Sequence, residues 1–257
     1  MKRIVRVKNI SYTRYEELIR QRDELQKEAF CWEREYTREF GDLILKGFEK
    51  KIDCIRLRKT IEFCQAVKNR GGVVDQKQLQ EYLIKEMAEF TRQMESMIKD
   101  AENAKKSKKV TQKDLLEIKR IYHRIAKQIH PDMNPKVREI PELMDLWNRV
   151  SVAYKCNQLK ALRELEVLVG KLMGENGEFA AGVDIPDLNA KIAELEEEIE
   201  EIRSTDPYQY QFLLQDSQLV QEKKDALEAE YREYALYEKQ LEEMLQVVMG
   251  QGVMITW

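Results

Sequence analysis

The sequence is poor in the residues that interrupt helices. Its 257 residues include only 10 glycines and 5 prolines, whereas Glu, Lys, Leu, Gln and Arg are abundant. These straight side chains lose little rotamer freedom in a helix and favour long helices and coiled coils. The shortage of breakers excludes extensive loops. We therefore expect an all-α, elongated protein in which helical hairpins and coiled coil flank a small antiparallel helix pair.

Cysteine pairs and long apolar runs are also missing. The four cysteines, Cys31, Cys54, Cys64 and Cys156, form no CxxC pair, which argues against a disulfide framework and against a thiolate zinc site. Charges are threaded through the N-terminal MKRIVRVKNI, and the chain has no apolar signal core and no run of about 18 apolar residues. We expect a cytoplasmic protein that makes no membrane contact.

The motifs of common enzyme families are absent as well. The sequence has no nucleophile elbow, phosphate loop, dinucleotide fingerprint or HExxH motif, so we expect neither enzymatic activity nor a cofactor. Its formal net charge of -3 argues against a dedicated nucleic-acid binder, which would need a basic excess to neutralise phosphates. A local basic run, Lys105 to Lys109, keeps nucleic-acid association open as a minor alternative.

Glycines and prolines divide the chain into six segments. Apolar residues at helical spacing predict two long helices in residues 1–104, and the sequence NRGGVVD between them predicts a turn that Asp75 caps. A basic linker (105–110), a helix pair (111–170) and a Gly-rich linker (171–186) follow. Residues 187–249 predict a coiled-coil hairpin, and the tail 250–257 has strand-like residues that could pair with those at 4–7.

The C-terminal hairpin is predicted from heptad spacing. Apolar residues recur in its first arm at steps of four and three, and in its second arm every seven residues, so each arm is expected to supercoil with the other. A glutamate run in the first arm is interpreted as a solvated face, with a basic surface as the alternative partner. The seams are Leu188, Ile192, Leu195, Ile199 and Ile202, then Leu213, Val220, Leu227, Tyr234, Leu241 and Val248, and the run is Glu196, Glu197, Glu198, Glu200 and Glu201.

The central segment predicts two short helices joined by a turn. Thr111 is placed to cap the first helix, and Pro131 forbids its continuation. The second helix begins near Pro141 and presents Leu143, Trp147, Val150 and Tyr154 to the first. We expect the tip of this pair to expose His130, Pro131 and Asp132. The predicted apolar face of the first helix is Leu115, Ile118, Tyr122, Ile125 and Ile129.

This segment resembles the J-domain family. Members carry a Tyr, basic residues and a Leu-Ala pair on a helix that ends in His-Pro-Asp, followed by a helix with an Ala-Tyr pair. The family's first-helix and fourth-helix signatures have no match here, so the resemblance covers about 55 of the 257 residues. We expect the Leu79–Ile98 helix to cover the face that the first helix would occupy. The matching residues are Tyr122, Arg124, Ile125, Ala126, Lys127, His130, Pro131, Asp132, Trp147, Val150, Ala153 and Tyr154.

The resemblance implies a cochaperone that docks on a DnaK-type ATPase chaperone and stimulates its ATP hydrolysis. A client protein or self-association through the coiled coils would add further partners. The core of the pair is then expected to be Tyr122, Ile125, Ala126, Ile129, Trp147, Val150, Ala153 and Tyr154. The partner-binding residues implied are His130, Pro131 and Asp132, with Lys119, Arg120, Arg124 and Lys127 as a basic face.

Other interpretations of this region stay open. His130, Pro131 and Asp132 could be an ordinary helix stop in which Asp132 caps a turn. The protein would then be a coiled-coil scaffold with a vestigial J domain. The only two histidines, His123 and His130, are seven residues apart, too far along one helix to chelate a metal ion without other ligands. No metal site is expected.

Overall fold

The computed structural model describes residues 2–106, 110–176 and 187–250, and within these ranges the regular structure is entirely helical. The prediction of an all-α fold is confirmed. None of the helices in the described part of the chain has an apolar stretch long enough to cross a membrane. The helices are α1 (Lys2–Asn69), α2 (Gln76–Lys106), α3 (Gln112–Ile129), α4 (Pro141–Lys155), α5 (Leu159–Asn176), α6 (Leu188–Ser204), α7 (Tyr210–Gln215) and α8 (Ser217–Met249), with a 3-10 turn at Pro135–Glu139.

The turn between α1 and α2 lies where the glycines predict it. Gly71 has a φ of 73°, which glycine adopts without the steric cost of a Cβ. The Gly72 N–H donates to the Val67 carbonyl at 3.0 Å and so closes the end of α1. Asp75 caps α2, because its Oδ1 accepts from the N–H of Lys77 at 2.8 Å.

The chain forms two compact units, and they do not follow the predicted linear segments. The first unit comprises the described residues within 1–33 and 108–211, and the second comprises those within 34–107 and 212–257. Helix α1 therefore contributes to both units. Residues 4–7 belong to α1, which contradicts their assignment as a strand, and the tail beyond Gly250 lies outside the described residues.

The first unit contains a bundle of α3, α4 and α5. Thr111 caps α3 by accepting from the Asp114 N–H at 3.2 Å. All eight expected core residues of the helix pair are buried in one cluster, together with Ile118, Ile121 and Leu143. Leu115 does not belong to that face, since it is 37% exposed.

Helix α5 supplies the third layer of this bundle. Asn157, at a φ of 54°, turns the chain out of α4, a left-handed position that Asn tolerates well. Helix α5 then packs against both α3 and α4 and buries Leu162, Leu165 and Val169. The expectation that the Leu79–Ile98 helix covers this face is wrong, because α5 occupies it.

Buried residues from the heptad seams of α6 and α8 pack on α1, where the sequence predicted that the two arms would pack on each other. Leu213, which was predicted to belong to the second seam, lies in α7. In the first unit, Leu195 and Ile199 of α6 share a buried cluster with Leu18 and Ile19 of α1. In the second unit, Leu241 and Leu245 of α8 cluster with three buried residues of α1. These three are Cys54, Leu57 and Ile61. Heptad spacing predicts that an apolar stripe is covered, but it does not identify the helix that covers it.

The contact between α8 and α1 predicts a position-dependent effect of truncating leucine. Leu241 is 3% exposed, whereas Leu236 on the same helix is 62% exposed. Leu241→Ala should lower the free energy of unfolding by about 2–4 kcal/mol because it leaves a cavity. Leu236→Ala, the matched control, should change it by less than about 0.5 kcal/mol. Urea unfolding followed by helical circular dichroism measures both, and equal effects would contradict this assignment.

Candidate functional site

The His130-Pro131-Asp132 triplet follows α3 directly. His130 is the last residue to bond into that helix, through its N–H to the Ala126 carbonyl at 2.9 Å. Pro131 has no N–H and cannot extend the ladder. The chain then turns, and the Asn134 N–H donates to the His130 carbonyl at 2.7 Å. The triplet is therefore held at the connection between α3 and α4.

The prediction that the triplet is exposed is wrong, because two of its residues are buried and the third is half-buried. His130 is 2% exposed, Pro131 is buried, and the Asp132 side chain is 24% exposed. The reason lies more than a hundred residues earlier in the chain. The stretch Tyr12–Lys27 of α1, which we call the α1 cover, contacts the triplet and the adjoining face of α3.

His130 is fixed through both ring nitrogens. The backbone N–H of Asp132 donates to His130 Nδ1 at 3.0 Å, so this nitrogen is an acceptor and the ring proton is on Nε2. Nε2 lies 3.2 Å from Asp23 Oδ2 in the α1 cover. The imidazole also lies against the Trp147 indole, with 4.3 Å between ring centroids. This arrangement selects one tautomer and one orientation of His130.

Asp23 is a buried carboxylate that links α1 to α3. It is 8% exposed, and its Oδ2 accepts from the Tyr122 hydroxyl at 2.7 Å. Arg22 Nη2 donates to its Oδ1 at 3.1 Å. Burial alone would raise the pKa of Asp23, but the hydrogen bonds from His130 and Tyr122 and the Arg22 charge lower it below its usual value.

Asp132 lies between two guanidinium groups. Arg22 Nη2 donates to its Oδ2 at 3.0 Å, and Arg138 Nη2 donates to its Oδ1 at 2.5 Å. Burial acts to raise the pKa of Asp132, yet the positive charges around it, including Arg22 and Arg138, lower the pKa overall. The Tyr15 hydroxyl donates to the Asp132 carbonyl at 3.3 Å. Among the residues that the structure describes, both carboxylate oxygens of Asp132 pair with guanidinium groups.

The expected basic face is divided by the structure. Lys119 Nζ donates to Glu24 of the α1 cover at 2.7 Å, and Arg124 Nε donates to Glu166 of α5 at 2.6 Å. Arg120 and Lys127 are exposed and form no ion pair with any residue that the structure describes. His123 Nε2 lies 3.1 Å from Glu24 Oε1, so it adjoins Lys119 at the same carboxylate.

The α1 cover continues over the aromatic residues of the bundle. Tyr122 and Tyr154 stack with ring centroids 3.7 Å apart, and Lys27 Nζ lies 4.1 Å from the centre of the Tyr154 ring. Burial lowers the pKa of Lys27 to about 8. A cavity of about 160 Å³ remains beside the triplet, with Gln26, Ser151 and Lys155 in its lining.

The α1 cover was not among the residues predicted to form the site. Its central residues are the consecutive Arg22, Asp23 and Glu24. Asp23 lies one helical turn after the fully buried Ile19, so a charged residue interrupts an apolar stripe. A charge in such a position requires a buried partner, and this was the signal that could have found it. The partner itself, 99 residues away at Tyr122, had no signal in the pattern.

Comparison with protein-family models, with curated proteins and with solved structures finds no match for this chain. The interpretation of the site therefore depends on its geometry and on the residues of the resemblance.

The pH dependence of the free energy of unfolding should show the role of the Asp23 carboxylate. Asp23→Asn presents an amide donor to groups that are already donors, so we expect the free energy of unfolding to fall by about 2–3 kcal/mol at pH 7. Because the folded pKa of Asp23 is depressed, the ionised carboxylate stabilises the fold above the usual value of 3.8, and this contribution is lost as pH falls through the lowered pKa. The difference in free energy of unfolding between the wild type and Asp23→Asn should therefore shrink below pH 3.8.

Glu17→Gln is the matched control, since Glu17 is an exposed residue of the same helix, and its effect should stay below about 0.5 kcal/mol. Chemical unfolding at pH 7 and at pH 3 gives the comparison. A penalty for Asp23→Asn that does not change with pH would contradict the assigned role of the carboxylate.

Proposed function

We propose that the protein is a J-domain-type cochaperone that docks on a DnaK-type chaperone through His130, Pro131 and Asp132 and stimulates its ATP hydrolysis. The observation that carries the proposal is the placement of the triplet at the turn of a packed α3–α4 pair, with the Asp132 carboxylate binding guanidinium groups. A carboxylate of this kind suits an arginine on a partner. Hydrolysis would take place in the partner, and this chain would supply binding contacts alone.

The basic face of α3 would steer the chaperone toward the triplet during association. Arg120 and Lys127 are exposed on α3, the helix that leads into the triplet, so they would meet an acidic partner surface first. Complementary charge of this type raises association rates more than it raises final affinity. Lys119 and Arg124 would join the contact once their pairing with Glu24 and Glu166 is exchanged for pairing with the partner.

The direct test replaces one carboxylate of the triplet. Asp132→Asn removes the charge that a partner arginine would bind, and we expect it to abolish stimulation of single-turnover ATP hydrolysis by the host's DnaK-type chaperone. Asp145→Asn is the control, because Asp145 is a 69% exposed aspartate on the neighbouring α4 and should leave stimulation unchanged. Circular dichroism would establish that both variants fold. Stimulation that survives in Asp132→Asn would contradict the proposal.

A second candidate is a self-associating scaffold in which the triplet is a structural helix stop. Its support is an apolar strip on α8, where Leu236, Tyr237, Met244 and Val247 are 41–83% exposed. The burial of His130 is compatible with this function. Sedimentation equilibrium tests it: the scaffold predicts a dimer or larger species that Leu236→Glu/Val247→Glu reduces to a monomer, whereas a strictly monomeric wild-type chain would count against it.

Nucleic-acid association receives less support. Of the basic run, Lys105 pairs with Asp42 at 2.6 Å and Lys106 pairs with Glu102 at 2.7 Å. Residues 107–109 lie outside the described ranges. We therefore retain the cochaperone as the proposed function and the scaffold as its alternative.

A further inference from the structure

Three consecutive residues of the α1 cover contact groups of this chain that, in the proposed function, bind the partner. Arg22 binds the Asp132 carboxylate at 3.0 Å. Asp23 faces His130 Nε2 at 3.2 Å, and Glu24 binds Lys119 at 2.7 Å. An external surface that used the same docking face would have to offer the same chemistry, namely a guanidinium and two neighbouring carboxylates.

The contacts described between the α1 cover and the α3–α4 pair are ion pairs, hydrogen bonds and one cation–π contact. The apolar residues of the cover, among them Leu18 and Ile19, cluster with α6 and with Met133 of the triplet loop. The core of α3, α4 and α5 is a separate cluster. The two are joined by the ion pairs and hydrogen bonds of Arg22, Asp23 and Glu24. Polar contacts of this composition are typical of interfaces that open and close, whereas permanent interfaces are more apolar.

Incomplete filling of the interface between the cover and the bundle also favours an interface that can open. The cavity of about 160 Å³ lies where Arg22 and Asp23 of the cover face His130, Trp147 and Ser151. This cavity opens to solvent, so the side chains of the two surfaces do not interdigitate there. Movement of the cover away from the triplet would expose charged groups to water and uncover Tyr122 and Tyr154 at the edge of the bundle core. The contacts among α3, α4 and α5 would stay in place.

We propose that Tyr12–Lys27 is an internal competitor that occupies the docking face until a partner surface bearing an arginine flanked by acidic groups displaces it. This inference rests on the proposed function. The closed chain cannot dock, so the apparent affinity for the chaperone equals the intrinsic affinity multiplied by the open fraction. A partner that binds only the open form shifts the population toward it. The docking face is thus regulated by the first helix of the same chain.

Matched variants separate the cover from the docking residues. Arg22→Met/Glu24→Gln removes the ion pairs to Asp132 and Lys119 and keeps side-chain size. It also removes the pairs of Arg22 with Asp23 and Glu198. The control, Arg20→Met/Glu17→Gln, makes the same two replacements on the same helix. Arg20 bonds Glu16 one turn earlier in α1, and Glu17 is exposed. The third protein adds Asp132→Asn to the opening pair.

Two readouts follow each protein. Hydrogen–deuterium exchange of the segment 129–137 reports opening without any chaperone, and single-turnover ATP hydrolysis by the DnaK-type chaperone reports docking. For Arg22→Met/Glu24→Gln we expect both the exchange rate and the apparent affinity for the chaperone to rise about tenfold. The control should match the wild type. Adding Asp132→Asn should keep the fast exchange and abolish stimulation.

The possible failures are distinguishable. Fast exchange with unchanged stimulation, which Asp132→Asn still abolishes, would overturn the internal competitor and leave the cochaperone standing. Fast exchange without stimulation by any of the proteins would overturn the cochaperone and the competitor with it. If the opening pair unfolds, Tyr12→Phe/Tyr15→Phe replaces it, because this pair removes only the hydroxyl bonds to the Met133 and Asp132 carbonyls. Unchanged exchange in a folded opening variant would also refute the competitor.

Discussion

A carboxylate buried as deeply as that of Asp23 is stable only when donors surround it. Tyr122, His130 and Arg22 provide these donors, and two of them come from α3 and from its end. This requirement joins the first helix of the chain to a helix about a hundred residues later. The orientation of His130, the position of Tyr122 and the ion pair between Arg22 and Asp132 all depend on it.

The remaining architecture follows from the long helix α1. Within each compact unit, a stretch of α1 covers an apolar stripe that would otherwise face water: that of α6 in one, and that of α8 in the other. Two residues of the glutamate run of α6 also contact α1, since Glu196 pairs with Arg14 and Glu198 pairs with Arg22. The alternative interpretation of that run, a basic surface within the chain, describes these two residues.

Local chemistry was predictable from the sequence, and long-range pairing was not. Thr111, Asp75 and Gly71 act within a few residues of their own position, so their effects as cap and turn could be predicted. Leu241 shows the limit: its heptad spacing indicates burial, but both α1 and the other arm of the predicted hairpin carry apolar stripes that could cover it. The exposure of His130 was mispredicted for the same reason, because the residue that buries it lies at position 23.

Nitrogen-15 NMR of the imidazole rings tests most directly whether the α1 cover holds His130. The chain has two histidines, so His130 can be assigned by replacing His123. We predict that His130 has a protonated Nε2 that exchanges slowly with water and an unprotonated Nδ1, and that Asp23→Asn abolishes this protection. Averaged tautomers with rapid exchange in the wild-type protein would contradict the account, because they would show that the α1 cover does not hold the triplet.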